Sequence, residues 1–310
     1  MKKVAISVGD LNGVGAEILL RSHNEIIKRC QPIYCISKEL LAKTGRLLDV
    51  EVDSSMQTFD VEGDVDIRPG TVQADSGLYS FNSFTTAIQL AENQQVDAIV
   101  TLPINKESWG KAGLSYKGHT DYLREHFDTE AIMMLGCEDL YVALYSEHIP
   151  FRNVVDTLNQ KSLLDFLLNL YHASHFENIG VLGLNPHAGD GGVLGNEEEI
   201  IIQSINKANS ALGKEVFHGP LVPDTAFTPM SLQSCNRIVA LYHDQGLAPL
   251  KALYFDQSIN VSLHLPITRT SVDHGTAFDI AYKGKSPNMT SYLNAIDAAI
   301  GIFSENLSSI

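Results

Sequence analysis

Positive charge is scarce in this chain: 22 lysines and arginines stand against 37 aspartates and glutamates, a formal net charge of -15 at pH 7. That balance argues against nucleic acid and anionic membrane surfaces as partners, because phosphate backbones need clustered cations. An anionic small substrate stays open, provided its counter-charge is local, on Lys251, on Arg269 or on a bound metal. Cysteine is scarce too. Cys30, Cys35, Cys137 and Cys235 follow neither a metal-type nor a disulfide-type spacing, so they read as reduced thiols of a cytosolic protein. Long apolar runs are missing. Met1-Lys2-Lys3 is followed by only five apolar or small residues before Gly9-Asp10, too few for a signal peptide, and no run is long enough to span a bilayer. The expectation is a soluble, cytoplasmic protein. The dinucleotide fingerprint GxGxxG is also missing. The glycines of Gly9-Asp10-Leu11-Asn12-Gly13-Val14-Gly15 are spaced differently, so a Rossmann assignment is unsupported.

What is present is an α/β pattern. The 310 residues, 44% of them hydrophobic, suffice for two domains or one large α/β unit. Val4-Ala5-Ile6-Ser7-Val8 reads as a strand running into the glycine loop and then a helix through Leu19, Leu20 and Ile27. Further strands are expected at 32–37, 98–101, 140–145, 179–184 and 238–241. Helices are expected at 38–48, from 76 onward, at 122–126 and 162–172, from near 195, and at 290–303, while 51–75 reads as alternating strand and loop. Glu197, Glu198 and Glu199 fall in the first turn of the helix near Gly195-Asn196. There they occupy the positive end of its dipole and make it a poor phosphate site.

Of eleven histidines, His148, His187 and His243 share one context, each just past an apolar β-rich run and within a Gly- or Pro-marked loop. In an open α/β sheet the carboxyl ends of strands converge on one crevice. Three imidazoles there, with Asp224 or Asp244 nearby, suit a divalent cation that keeps a position open for substrate. The three are far apart along the chain, and satisfied structural histidines fit the same pattern. The stretch 241–277 adds Lys251, Asn260 and Arg269, spaced so that separate elements must present them, as in an anion-binding wall beside such a crevice. Gly118-His119-Thr120 offers an imidazole and a hydroxyl at a helix start, read either as ligand contacts or as a Thr cap with an incidental histidine. Lys106, after Pro103-Ile104-Asn105, is either a functional cation or an exposed helix-start lysine.

Together these segments resemble the 4-hydroxythreonine-4-phosphate dehydrogenase family of pyridoxal phosphate biosynthesis, over essentially the whole chain. The resemblance rests on Gly9-Asp10 with Gly13 and Gly15, Pro103-Ile104-Asn105-Lys106, Gly118-His119-Thr120, His148-Ile149-Pro150 and Asn185-Pro186-His187-Ala188-Gly189. It continues through Asp224-Thr225, His243-Asp244-Gln245-Gly246 and the run from Arg269 to Asp273-His274-Gly275-Thr276-Ala277. Each is weak alone; in this order they are specific. The resemblance implies a fold like that of isocitrate and isopropylmalate dehydrogenases, two α/β/α domains with an active-site cleft between them, not a Rossmann fold. One domain, 1–120 plus 265–310, would form the cofactor side, and the other, 121–264, the metal and dimer side.

The implied activity is NAD- or NADP-linked oxidation of 4-phosphohydroxy-L-threonine to 2-amino-3-oxo-4-phosphooxybutanoate, followed by decarboxylation to 3-amino-2-oxopropyl phosphate. One divalent metal per site (zinc, magnesium or cobalt) would sit on His148, His187 and His243, in an active site shared by two subunits of a homodimer. His119, Thr120, Lys251, Asn260 and Arg269 would contact the phosphorylated amino-acid substrate, with Lys251 and the three histidines catalytic. His274, Gly275 and Thr276 would meet the adenine side of the dinucleotide. The chain departs from the family pattern at Leu11 and Ala16, usually prolines, at Asp190, usually Glu, and at Tyr282, usually glycine. Rival readings are a dehydrogenase of another phosphorylated four-carbon hydroxy acid, a phosphate acetyltransferase-like acyl transferase that needs no metal triad, and a non-catalytic metal-binding protein.

Overall fold

The computed structural model describes residues 1–285 and 287–301. In chain order the elements begin with β1 (Lys3–Ser7), α1 (Gly15–Ile26), β2 (Gln31–Cys35), α2 (Lys38–Leu48), β3 (Thr58–Phe59), α3 (Ala74–Glu92), β4 (Ala98–Thr101), α4 (Lys106–Lys111) and α5 (His119–Phe127). Next come β5 (Ile132–Cys137), β6 (Leu140–Leu144), α6 (Val154–Thr157), α7 (Gln160–Ser174), β7 (Ile179–Leu182), α8 (Glu198–Leu212) and β8 (Phe217–Leu221). The chain continues with α9 (Pro223–Ala226), α10 (Pro229–Ser234), β9 (Arg237–Ala240), α11 (His243–Tyr254), β10 (Ile259–Leu263), β11 (Arg269–Val272) and α12 (Thr290–Ile300). Two compact units result: Met1–Thr129 with Ile259–Val261 and the described residues from Leu265 on, and Glu130–Ser258 with Ser262–His264. The sequence reading divides the chain at 120 and 265, whereas α5 is one continuous helix past 120 and lies whole in the first unit. Among the described residues no helix is long and apolar enough to cross a membrane.

In the first unit the strands run in the order β3-β2-β1-β4-β11, every pair parallel. Parallel strands are covered on both faces, so they read as continuous apolar runs without alternation. β4, Ala98-Ile99-Val100-Thr101, is buried at every position, and β1 at all but its first. α2 starts where Ser37 Oγ accepts the N–H of Leu40 at 3.2 Å and stops where Asp49 turns left-handed. A Ser cap of this kind is worth roughly 1 kcal/mol. α12 packs on β11, with Thr270 Oγ1 donating to the Ala295 carbonyl at 2.7 Å.

In the second unit the order is β5-β6-β9-β7-β8. β5 and β6 form an antiparallel hairpin closing at the Cys137–Leu140 pair, and the remaining pairs are parallel. Leu135, Val142, Leu144, Ile238, Ala240, Leu247 and Leu250 pack together as its core. Leu144 lies level with Ala240 and Val181 with Val239. The adjacent strands β6, β9 and β7 therefore end along one edge, and their exits lead to His148, His243 and His187. The four cysteines are free thiols, and burial raises each: Cys30 and Cys35 are pushed up to about 12, Cys137 and Cys235 upward in the same sense.

The mixed α/β class expected from the sequence is the one observed. Several details differ. No range is expected from the sequence for β5, β8, β10, β11, α6, α9, α10 or α11, and 51–75 holds only the two-residue β3. The helix expected at 122–126 begins at His119, and the one expected at 162–172 runs from Gln160 to Ser174. The expected terminal helix reaches Ile300, with 302–303 outside the described residues.

Candidate active site

The second unit lines up the three strand-end loops. Beyond β6, Ser146 donates both its N–H (3.3 Å) and its Oγ (2.7 Å) to the Leu241 carbonyl, which binds the exit of β6 to the exit of β9. Gln245 then ties β9 to β7: its Oε1 accepts the Leu241 N–H at 2.8 Å and its Nε2 donates to the Gly183 carbonyl at 2.7 Å. His148 and His243 become neighbours, ring centroids 5.4 Å apart. The Nδ1 of His243 lies 2.7 Å from Asp244 Oδ1, so this ring is held through Nδ1 and Nε2 is the nitrogen that Asp244 does not engage. Neutral imidazoles with a carboxylate behind them are divalent-cation donors, so the pair fits a metal chemically. His187 does not join them within one chain. Among the described residues no group of three His, Cys, Asp or Glu is arranged to hold a metal ion.

His187 sits instead in an exposed, tightly wound loop. Residues His187, Ala188, Gly189, Asp190 and Gly191 all have positive φ, between 45° and 78°. For non-glycine residues this conformation costs about 1–3 kcal/mol each and persists only where the surroundings over-determine it. Lys251, on the last turn of α11, holds its Nζ 5.7 Å over the Phe255 ring. Asp224 stands exposed in α9.

The first unit gathers another set. His119 opens α5 behind Gly118, so the histidine and Thr120 lie in the first helical turn and Gly118, not Thr120, is the cap residue. The His119 ring stands edge-on to Phe84 at 4.5 Å and to Trp109 at 5.7 Å. Trp109 is fixed by its Nε1–H donating to Ser80 Oγ at 2.8 Å. His119 Nε2 is shut from solvent and has no partner among the described residues, and the same holds for Asn260 Oδ1 on β10. These unused polar atoms are what a bound polar ligand would satisfy. Arg269, 2% exposed, donates from Nη2 to Thr101 Oγ1 at 2.7 Å. Burial brings its guanidinium down to about 9, still cationic at neutral pH.

Burial, then the charges of Arg269 and Lys106, holds His119 well below its ordinary 6.5, so it is neutral in the folded protein. The unfolded chain therefore binds the extra proton first. Stability conferred this way is present above about pH 6.5 and lost as pH falls below it, by up to about 1.4 kcal/mol per pH unit. Urea midpoints taken at about pH 7.5 and about pH 5.5 should diverge in the wild type, and His119→Gln should narrow the gap. His23, lowered by burial against an opposing Asp53, keeps part of the slope.

The third set lies in the loop after β11. His274 Nδ1 is 3.1 Å from the Gly275 carbonyl, and its Nε2 is buried without a partner among the described residues. Thr276 accepts the Val14 N–H through its carbonyl at 3.0 Å. A Cβ on Gly13 would come within 2.8 Å of that carbonyl oxygen, so the two loops meet only because residue 13 is glycine. Tyr282 and Leu11, two positions off the family pattern, are partners: Tyr282, at φ +60°, donates its hydroxyl to the Leu11 carbonyl at 2.8 Å.

The family model described as "Pyridoxal phosphate biosynthetic protein PdxA" matches residues 28–299. The chain belongs to the PdxA family. It is 55% identical over 300 residues, 97% of each chain, to a 4-hydroxythreonine-4-phosphate dehydrogenase of Sulfurimonas denitrificans. Among solved structures, a 4-hydroxythreonine-4-phosphate dehydrogenase from Klebsiella pneumoniae shares 33% identity with a TM-score of 0.81, covering 97% of this chain and 99% of that one. A terephthalate 1,2-cis-dihydrodiol dehydrogenase from Burkholderia xenovorans, 23% identical with a TM-score of 0.68 over 96% of this chain and 97% of that one, shares the fold.

In this PdxA family member, the sequence pattern does not reveal the work of Gln245, nor that of Glu198, which it places with Glu197 and Glu199 in the first turn of α8 as a partner of the helix dipole. Gln245 stands in the sequence only as part of the His243-Asp244-Gln245-Gly246 segment; its work as a brace between two strand exits is a tertiary fact. Glu198 left a readable trace. It falls on the stripe of α8 that carries Ile201, Ile205 and Ala208, all buried, so a glutamate at that register must find donors inside.

Proposed function

We propose that the protein oxidises 4-phosphohydroxy-L-threonine with NAD or NADP to 2-amino-3-oxo-4-phosphooxybutanoate, which then loses carbon dioxide to give 3-amino-2-oxopropyl phosphate, a step of pyridoxal phosphate biosynthesis. The observation that carries this is the identity of 55% along nearly the whole length to a relative of that name. In support, the imidazole-bearing loops leave adjacent parallel strands at one edge, where α/β enzymes place their chemistry. One divalent cation (zinc, magnesium or cobalt) is held by His148, His187 and His243 in a homodimer, with the second copy completing the set of donors that one chain leaves open. When bound, the cation supplies Lewis acidity toward the substrate oxygen and the nicotinamide takes the hydride.

The chain's own residues do the rest. Asp244 fixes the His243 ring through Nδ1 and keeps its Nε2 available. Arg269 and Lys251 meet the two anionic ends of the substrate, Arg through a paired fork and Lys as a point charge. His119 is neutral and buried at Nε2, so it takes part as a hydrogen-bonding group and adds no third positive charge. Thr120 and Asn260 contribute a hydroxyl and an amide to the same substrate. His274, Gly275 and Thr276 lie against the adenine side of the dinucleotide. The test is the appearance of reduced nicotinamide with 4-phosphohydroxy-L-threonine, abolished by a chelator and restored by added cation. A preparation equally active before and after chelation would refute the metal assignment, and one that turns over only another phosphorylated hydroxy acid would refute the substrate.

A further inference from the structure

The loop that carries His187 is wound against its own backbone preference, and a single buried carboxylate stands behind it. Glu198 is 6% exposed and opens α8, yet its side chain turns back toward the end of β7. Its Oε1 accepts the N–H groups of Leu184 at 3.0 Å and Asn185 at 2.7 Å. Its Oε2 accepts the Asn185 side-chain amide at 2.9 Å, and that amide also reaches Glu197 Oε2 at 2.7 Å. A Cβ on Gly189 would lie 2.7 Å from the same Glu198 Oε2, so the loop wraps the carboxylate closely. The two residues before Pro186 are thus pinned, and the left-handed run from His187 to Gly191 starts from a fixed point. Its far end is closed by the Leu194 N–H donating to the Gly189 carbonyl at 3.0 Å.

We infer that Glu198 is a positioning residue: it acts through the 184–194 loop, fixing the backbone that presents His187 to the metal. The inference rests on the metal reading proposed above. Glu198 is not one of the proposed ligands, and the atoms it engages are those of Leu184 and Asn185; its role is to hold a strained ligand loop in the one shape that delivers the imidazole. A carboxylate suits the task because it accepts three hydrogen bonds and donates none. Glutamine keeps one carbonyl oxygen for the Leu184 and Asn185 N–H groups but sets a donor against the Asn185 amide.

The test uses the full chain stripped of metal, in wild type, E198A and E198Q forms, with Co²⁺ alone as the probe and amide hydrogen exchange over 184–194 as a second readout. E198A is expected to exchange at least about tenfold faster in that segment and to bind Co²⁺ about 10- to 100-fold more weakly, the range found when an outer partner of a metal ligand is removed. E198Q should fall between it and wild type, and carries the comparison should E198A not fold. Unchanged exchange in the loop, or unchanged Co²⁺ affinity in a variant whose loop has loosened, overturns the inference while leaving the metal assignment intact. Wild-type protein that binds no Co²⁺ overturns the metal assignment instead, and the exchange comparison still decides whether Glu198 holds the loop.

Discussion

His243→Ala is expected to release the bound divalent cation and cut turnover by at least about a thousandfold, while the protein stays folded. The size follows from what Lewis acidity supplies: several kcal/mol of charge stabilisation, of which about 4 kcal/mol corresponds to roughly a thousandfold in rate. The tolerance of the fold follows from exposure. The His243 side chain is 38% exposed and its partner Asp244 86%, so their pairing contributes at most about 1 kcal/mol. Metal content by elemental analysis, turnover with 4-phosphohydroxy-L-threonine, and a thermal melt together settle the matter. Full activity in a metal-free H243A protein would end the metal mechanism. A collapsed melt would instead show that His243 is a structural residue.

Arg269→Met should lower kcat/KM for the phosphorylated substrate by roughly 10²- to 10⁴-fold, mostly through KM, with the KM for nicotinamide nearly unchanged. Each hydrogen bond to an ionised group is worth about 1.5–3 kcal/mol, and a guanidinium offers a pair of them to one anion. Methionine is unbranched and fills irregular space, so it replaces the buried stem with little loss of packing. Removing a guanidinium that is only 2% exposed also removes its desolvation cost, which is why stability should hold even though Thr101 Oγ1 loses its donor. Arg269→Lys restores the charge without the fork and should recover only part of the loss. A substrate KM that stays at the wild-type value in R269M would remove Arg269 from the binding site.

Much of the frame is legible in the sequence. The limits of α2 and β4 are legible, because a Ser cap and a β-rich run set between Asp97 and the Leu102-Pro103 exit are local signals. β5 was invisible for the opposite reason. Ile132-Met133-Met134-Leu135-Gly136-Cys137 is buried throughout, so it shows no alternation, and its hairpin turn at Glu138-Asp139 carries no glycine. β8 contains Gly219-Pro220, a pair that reads as a turn. Within the site, the strand-end position of His148, His187 and His243 was legible as a pattern, but the 5.4 Å between His148 and His243 depends on β6 and β9 being neighbours, which no linear spacing encodes. Asn260 and His119 were legible only as residue types; that each keeps a buried atom without a partner among the described residues is a property of packing. The left-handed winding after Pro186 was hinted at by Gly189, Gly191 and Gly192, yet the non-glycine members His187, Ala188 and Asp190 gave no warning.

Burial sets the reactivity of the four thiols as firmly as it sets the core. A thiol reacts as its thiolate, and Cys30 and Cys35 hold their protons up to about 12, with Cys137 and Cys235 displaced in the same direction. A disulfide dye added to native protein at neutral pH thus meets few nucleophiles, whereas the opened chain shows it all four. Cys235 is partly exposed, so it is the slower colour from the buried Cys30, Cys35 and Cys137 that becomes a clock for opening, and the protein carries its own reporter without any engineered label.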